Sequence, residues 1–244
     1  MLLAIDIGNS AIKFGLFERE QLTSKFSIQT KRDATADEIW SAAGDRLRSG
    51  ADAAIVCSVV PEIDIPMTKF LREVTNSEPT FVNNSFDFGL KINYEPLESL
   101  GTDRLVNAFA VVEKYGAPCI VCSLGTATTI DVINAEKEFL GGIIAPGMDA
   151  MSAALHLKAS RLPHVKVERP KHTIGNSTIE SIRSGVYYGY VSMVEGMITR
   201  MRTEYGISRI VGTGGNVGLV SAEFAGLMTL DLDLTLNGLR ILGR

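Results

Sequence analysis

Asp6 stands near the end of a short apolar run, Leu2 to Ile7, and Gly8-Asn9-Ser10 follows it at once. A carboxylate in such a run is costly unless it holds a metal, a charge partner or a hydrogen-bond donor. Gly8 lets backbone come close to a ligand, and Asn9, Ser10 and successive N–H groups can cradle phosphate oxygens. The plainer reading is a tight hairpin whose aspartate caps its own turn. A second stretch, Cys119 to Ile133, lies over the first at an offset of about 117 residues, roughly half the chain. Gly8 then falls on Gly125, Asn9 on Thr126 and Ser10 on Ala127, with apolar runs on both sides. Two polar turns half a chain apart suggest an internal duplication, and such turns facing across a cleft could hold a nucleotide's phosphates from both sides. The same register puts Ser123 opposite Asp6, so the second half lacks the carboxylate of the first.

Gly101-Thr102-Asp103-Arg104 forms a third group, set just before an apolar-periodic helix. Asp103 there is either an acid favoured by the helix dipole or a base beside a cation. Arg104 offers a planar fork for a carboxylate or phosphate. Gly212-Thr213-Gly214-Gly215 after an apolar strand is a fourth place where a ligand could approach backbone. His156, His164 and His172 give neither a zinc pattern nor a Ser-His-Asp arrangement, and are read as surface or packing residues. Acids, an arginine and small polar turns, without a nucleophile or metal box, fit phosphoryl transfer better than hydrolysis or redox work.

The elements that must position these groups follow from pattern and turn chemistry. Strands are expected at Leu2 to Ile7, Ala11 to Phe17, Gln21 to Thr30, Ala53 to Val60 and Thr80 to Val82. Helices are expected at Ala36 to Arg48, Met67 to Val74 and Leu105 to Tyr115, and 83–99 reads as a loop of the kind that lines a site. The second half repeats this logic. A strand-turn-strand over 119–133 leads into a glycine-rich connection, Gly141 to Gly147. Helices Asp149 to Lys158 and Thr178 to Glu204 flank a basic loop, and a strand from Arg209 runs into the Gly214-Gly215 turn.

Size allows one large domain or two of about 110–130 residues. The 244 residues are 45% hydrophobic and 21% charged, ordinary for a globular protein, and the net charge of −4 argues against nucleic acid as main partner. No apolar run reaches a membrane span, and the N-terminus lacks a signal-peptide pattern. Cys57, Cys119 and Cys122 sit in apolar runs and read as reduced core residues. A cytoplasmic location is expected.

Taken together, Asp6 to Ser10, Gly101 to Arg104, Gly125-Thr-Ala-Thr-Thr-Ile-Asp131, Gly141 to Gly147, Thr213 to Gly215 and Leu234 to Leu239 resemble type III pantothenate kinase. The resemblance implies an α/β fold of the actin-like ATPase kind, two ribonuclease-H-like domains (1–116 and 117–244) with a nucleotide cleft between them, in a homodimer. It implies ATP-dependent phosphorylation of pantothenate to 4′-phosphopantothenate, the first step of coenzyme A biosynthesis, with Mg²⁺ and a monovalent cation (K⁺ or NH₄⁺). By position, Asp6 would organise Mg–ATP, with Gly8, Asn9, Ser10 and Lys13 around the phosphates. Asp103 would be the general base, and Arg104, Gly101, Tyr94 and Thr178 would bind pantothenate. Gly125, Thr126, Gly214 and Gly215 would face the nucleotide. The family has aspartate at the position of Ser123, where it helps to bind a cation. A serine there implies altered or weaker cation use. Two other readings are a catalytically weak relative acting as a binding or regulatory protein, and an actin-fold phosphotransferase for another small acid or sugar.

Overall fold

The computed structural model describes residues 1–47 and 50–244, which divide into two compact units. The first comprises residues 1–90, 94–114 and 233–244, and the second residues 91–93 and 115–232. The expected boundary at 116/117 lies beside the crossing from Lys114 to Tyr115, but the last twelve residues belong to the first unit.

In the first unit, β1 (Leu2–Ile7), β2 (Ala11–Glu18), β3 (Gln21–Gln29), β4 (Ala53–Ser58) and β5 (Thr80–Phe81) form a sheet of order β3-β2-β1-β4-β5. The β1–β2 and β2–β3 pairs are antiparallel, and β4 runs parallel to β1 and β5 to β4. Helix α1 (Ala36–Ala43) opens on a capping box, with Thr35 and Glu38 satisfying each other's end of the helix. Its expected last residue, Arg48, lies outside the described residues. Helix α2 (Pro61–Thr75) begins well before the expected Met67. Pro61 did not end the preceding strand so much as start this helix, at a position whose missing N–H costs no helical bond. Helix α3 (Thr102–Tyr115) likewise takes in Thr102, Asp103 and Arg104 as its first turn.

The second unit holds β6 (Lys91–Ile92), β7 (Cys119–Leu124), β8 (Ala127–Ile133), β9 (Glu138–Pro146), β10 (Ile210–Thr213) and β11 (Thr229–Leu230), in the order β11-β10-β7-β8-β9-β6. Five of these repeat the first sheet: β9-β8-β7-β10-β11 matches β3-β2-β1-β4-β5 in both order and strand direction. The duplication expected from two similar hairpins is thus a duplication of whole sheets, in the ribonuclease-H-like arrangement. The segment Gly141 to Pro146, expected as a connection, is instead part of β9. Gly142 serves close strand packing. A Cβ on Gly142 would sit 2.1 Å from the Ile130 carbonyl and 2.3 Å from Asp131 Oδ1. Gly141 has φ +102°, beside the bulge at Val132/Ile133.

Helices α4 (Met148–Lys158), α5 (Thr178–Tyr205) and α6 (Val217–Val220) belong to this unit, and α7 (Leu234–Leu242) closes the chain in the first. Helix α7 joins the first unit because its apolar face, Leu234, Leu236 and Leu239, is buried there. Gly238 lets it approach α3: a Cβ at that position would lie 2.8 Å from Ala110 Cβ. Each unit has its own apolar core, one around Phe14, Ile5 and Phe70, the other around Tyr187, Tyr190 and Phe224. The three cysteines are buried and free. Among the described residues no helix is long and apolar enough to cross a membrane.

Candidate functional site

In the first unit the hairpin register brings Asp6 opposite Lys13, and Lys13 Nζ donates to Asp6 Oδ2 at 3.1 Å. The Asp6 side chain is 12% exposed, so the pair is sheltered but open on one side. The Gly8–Ser10 turn between the strands is held by the residue that follows β3: Thr30 Oγ1 donates to the Gly8 carbonyl (2.6 Å) and Thr30 N to the Ser10 carbonyl (3.1 Å). Arg32 Nη2 donates to Asn9 Oδ1 at 3.0 Å. Asn9 and Ser10 are exposed. A carboxylate neutralised on one oxygen, next to a turn whose Asn9 and Ser10 are exposed, suits a triphosphate with Mg²⁺. That ion is commonly held by one or two carboxylates plus phosphate oxygens and water. Among the described residues no cluster of three or more acidic, histidine or cysteine side chains forms a complete metal cage.

Asp103 lies in the first turn of α3 and is partly buried. Burial first, and then the negative charge of Asp6, push its pKa above the ordinary carboxylate value, against the lowering influence of the Arg104 amide and guanidinium. Its Oδ1 accepts from Arg104 N at 2.9 Å. Gly101 leaves room for that carboxylate: a Cβ there would fall 2.6 Å from the same oxygen and push it aside. Arg104 is buried, and its guanidinium carbon lies 5.4 Å from the centre of the Tyr94 ring. Its Nη1 reaches the Tyr94 hydroxyl at 3.5 Å, at the limit of a hydrogen bond. A carboxylate held as a proton acceptor, beside a guanidinium stacked on an aromatic face, can deprotonate one end of a small molecule and bind an anionic group on it.

In the second unit the corresponding hairpin turn is one residue shorter. Leu124 pairs with Thr128, whereas Ile7 pairs with Ile12, so the offset of 117 holds for β1 and β7 but slips by one beyond the turn. Ser123 therefore pairs with Thr129 on one side and Thr213 on the other, so hydroxyls stand where the first unit has Asp6 and Lys13. The Gly125-Thr126 turn is pinned by two others. Asn216 Nδ2 donates to the Gly125 carbonyl (3.1 Å) and Asn216 N to the Leu124 carbonyl (2.9 Å), while Gly147 N donates to the Thr126 carbonyl (3.0 Å). Gly214, at φ +107°, is pressed on Leu124 so closely that a Cβ would lie 2.5 Å from its carbonyl oxygen. The parallel pairing of β7 with β10 thus gathers Ser123, Gly125, Thr126, Gly214 and Gly215 at one end of one sheet. Thr178 stands apart from them, as first residue of α5 behind the Ser177 cap, lining a cavity of about 1000 Å³ between α4 and α5.

The expected site residues thus form one group per unit, with Thr178 separate. Sequence reasoning overlooked the supports. Thr30, Arg32 and Asn216 hold the turns, and Cys57 packs beside Asp6 through the β1–β4 register. None of these carries a motif, because each acts through a pairing between distant strands or turns.

The two-sheet architecture is that of actin-like ATPases and sugar kinases. A ROK family glucokinase from Streptomyces griseus, solved with glucose and AMPPNP, is similar in structure at TM-score 0.54 and 11% identity, covering 99% of this chain and 97% of that one. A conserved Baf family protein from Campylobacter jejuni reaches TM-score 0.61 at 20% identity, covering 98% of this chain and 96% of that one. These likenesses establish the fold. Within it, the type III pantothenate kinase family model matches residues 2–200. The type III pantothenate kinase of Geotalea uraniireducens is 39% identical over 249 residues, covering 99% of this chain and 97% of its own. The chain belongs to the type III pantothenate kinase family.

Proposed function

We propose that this protein transfers the γ-phosphoryl group of ATP to the primary hydroxyl of pantothenate, with Asp103 as the general base. The observation that carries this reading is the pairing, in one helical turn, of a carboxylate kept basic by burial and by Asp6 with the buried, Tyr94-stacked Arg104. Asp103 takes the proton of the attacking hydroxyl, while Arg104 binds the substrate with Tyr94 and Gly101; Thr178, the other residue proposed for pantothenate, lines its own cavity in the second unit. Lys13, Gly8, Asn9 and Ser10 receive the triphosphate, and Gly125, Thr126, Gly214 and Gly215 face the nucleotide. Asp6 would hold the divalent ion, which when bound offsets charge on the phosphate oxygens.

Ser123 is the residue proposed for the monovalent cation, supplying a neutral oxygen in place of a carboxylate. A homodimer is the proposed assembly; exposed Leu157, Ile174 and Ile179 on the second unit support it. The test is ADP production with ATP, Mg²⁺ and pantothenate, with and without K⁺ or NH₄⁺. Turnover that requires pantothenate supports the reading. ATP binding without such turnover under any cation would favour a binding or regulatory protein instead.

A further inference from the structure

We infer that Asn84 is a positioning residue that sets the geometry of the Asp103–Arg104 turn, an inference that rests on Asp103 acting as the base. Among the described residues its side chain makes three hydrogen bonds, all to the segment entering α3. Its Nδ2 donates to the carbonyls of Leu97 (2.6 Å) and Leu100 (2.9 Å), and its Oδ1 accepts from Thr102 Oγ1 (3.0 Å). Both amide protons and one acceptor are therefore used on a stretch of six residues that ends beside Asp103.

Asn84 is itself held on the first unit's sheet. Val82 N donates to the Val56 carbonyl of β4 at 2.8 Å, and Asn83 Oδ1 accepts from Ser85 N at 2.9 Å, closing a turn that presents Asn84. Beyond it, Phe88 is buried with its ring centre 6.3 Å from that of Phe109 in α3. A continuous path thus runs from β4 through Asn84 to the first residue of α3, and β4 also pairs with β1, which carries Asp6. The clamp ties the two carboxylates to one frame. Beside it lies a cavity of about 560 Å³, lined by Ser58, Asn84, Leu97, Gly101 and Thr102 among others, so the segment has room to shift once released.

Reacting groups that move by about 1 Å lose on the order of 100-fold in rate. Asn84→Ala is expected to lower kcat/KM for pantothenate by about 10- to 100-fold, with KM for ATP within about twofold of the parent. Thr102→Val removes one of the three bonds and gives a smaller loss, Thr102→Ser restores the parent value, and the double variant is no worse than Asn84→Ala alone. Hydrogen exchange at the Arg104 and Leu105 amides, which donate to the Gly101 carbonyl, is expected to quicken in Asn84→Ala whether or not turnover is followed. The inference is overturned if KM for ATP and pantothenate rise together with a fall in melting temperature, or if exchange at these amides is unchanged. Failure of the base assignment would show separately, as full activity in Asp103→Asn, while the exchange and KM readings still decide the clamp.

Discussion

Replacing Asp103 with asparagine should make the protein more stable and nearly inactive. The buried carboxyl has a folded pKa above its unfolded value, near 3.9, so the native state binds the proton more tightly. The stabilising contribution of the protonated form is then present at low pH. It is lost as pH rises from the unfolded value through the raised folded value. At neutral pH the ionised group is desolvated and repelled by Asp6, with Arg104 only partly offsetting this, so the native state carries a constant penalty that an amide of equal size removes. Thermal unfolding should give a higher Tm for Asp103→Asn at pH 7, and the difference should shrink as pH falls toward the ordinary carboxylate range. Activity should move the other way. A positioned general base contributes about 10²- to 10⁴-fold, or about 2.7–5.4 kcal/mol of barrier. The parent's kcat/KM for pantothenate should fall on the acid side of a pKa above the usual aspartate value, a limb that the variant lacks. A variant that is less stable at pH 7, or that keeps kcat within about tenfold, would refute the reasoning.

Ser123→Asp should raise cation affinity and change the K⁺ or NH₄⁺ dependence of turnover, since it adds a charge between the Thr129 and Thr213 hydroxyls; an unchanged activity and cation profile would show that Ser123 does not govern cation use. Gly214→Ala forces a side chain into φ +107° and to within 2.5 Å of the Leu124 carbonyl, so it should destabilise the second unit by about 1–3 kcal/mol. Denaturant unfolding reads that cost, and an unaltered midpoint would mean that the turn shifts freely. KM for ATP should rise in the same variant, because Asn216 and the Gly125 turn are held by the same contact.

The register of β1 and β7 was legible from the pattern of apolar runs because a strand's period of two and a glycine turn leave a local mark at both places. The loop slip after Gly125 was not, since one residue of turn length changes no local propensity. The start of α3 was legible in part: Asp103 reads as an acid favoured by a helix dipole and does lie in the first turn, although the apolar period itself begins only at Leu105. Gly141 and Gly142 look like a flexible link until Ile130 and Asp131 are seen to fill the space of the side chain that Gly142 lacks, and Gly141 to take φ +102° beside a bulge.

Residue types and order alone determined the duplicated α/β plan, the carboxylates Asp6 and Asp103, the small polar turns and the family resemblance. Only the tertiary structure decided what gives those groups their properties. Lys13 meets Asp6 through strand pairing, Asp103 has its pKa raised by burial and by a charge ninety-seven positions away in the chain, and Asn84 clamps the segment leading into α3. The same holds for the return of α7 to the first unit, which rests on an apolar face finding the sheet and α3. Local sequence fixes which conformations a segment prefers. Desolvation, pairing register and close approach depend on which distant segments end up adjacent, and that is settled only when the cores pack.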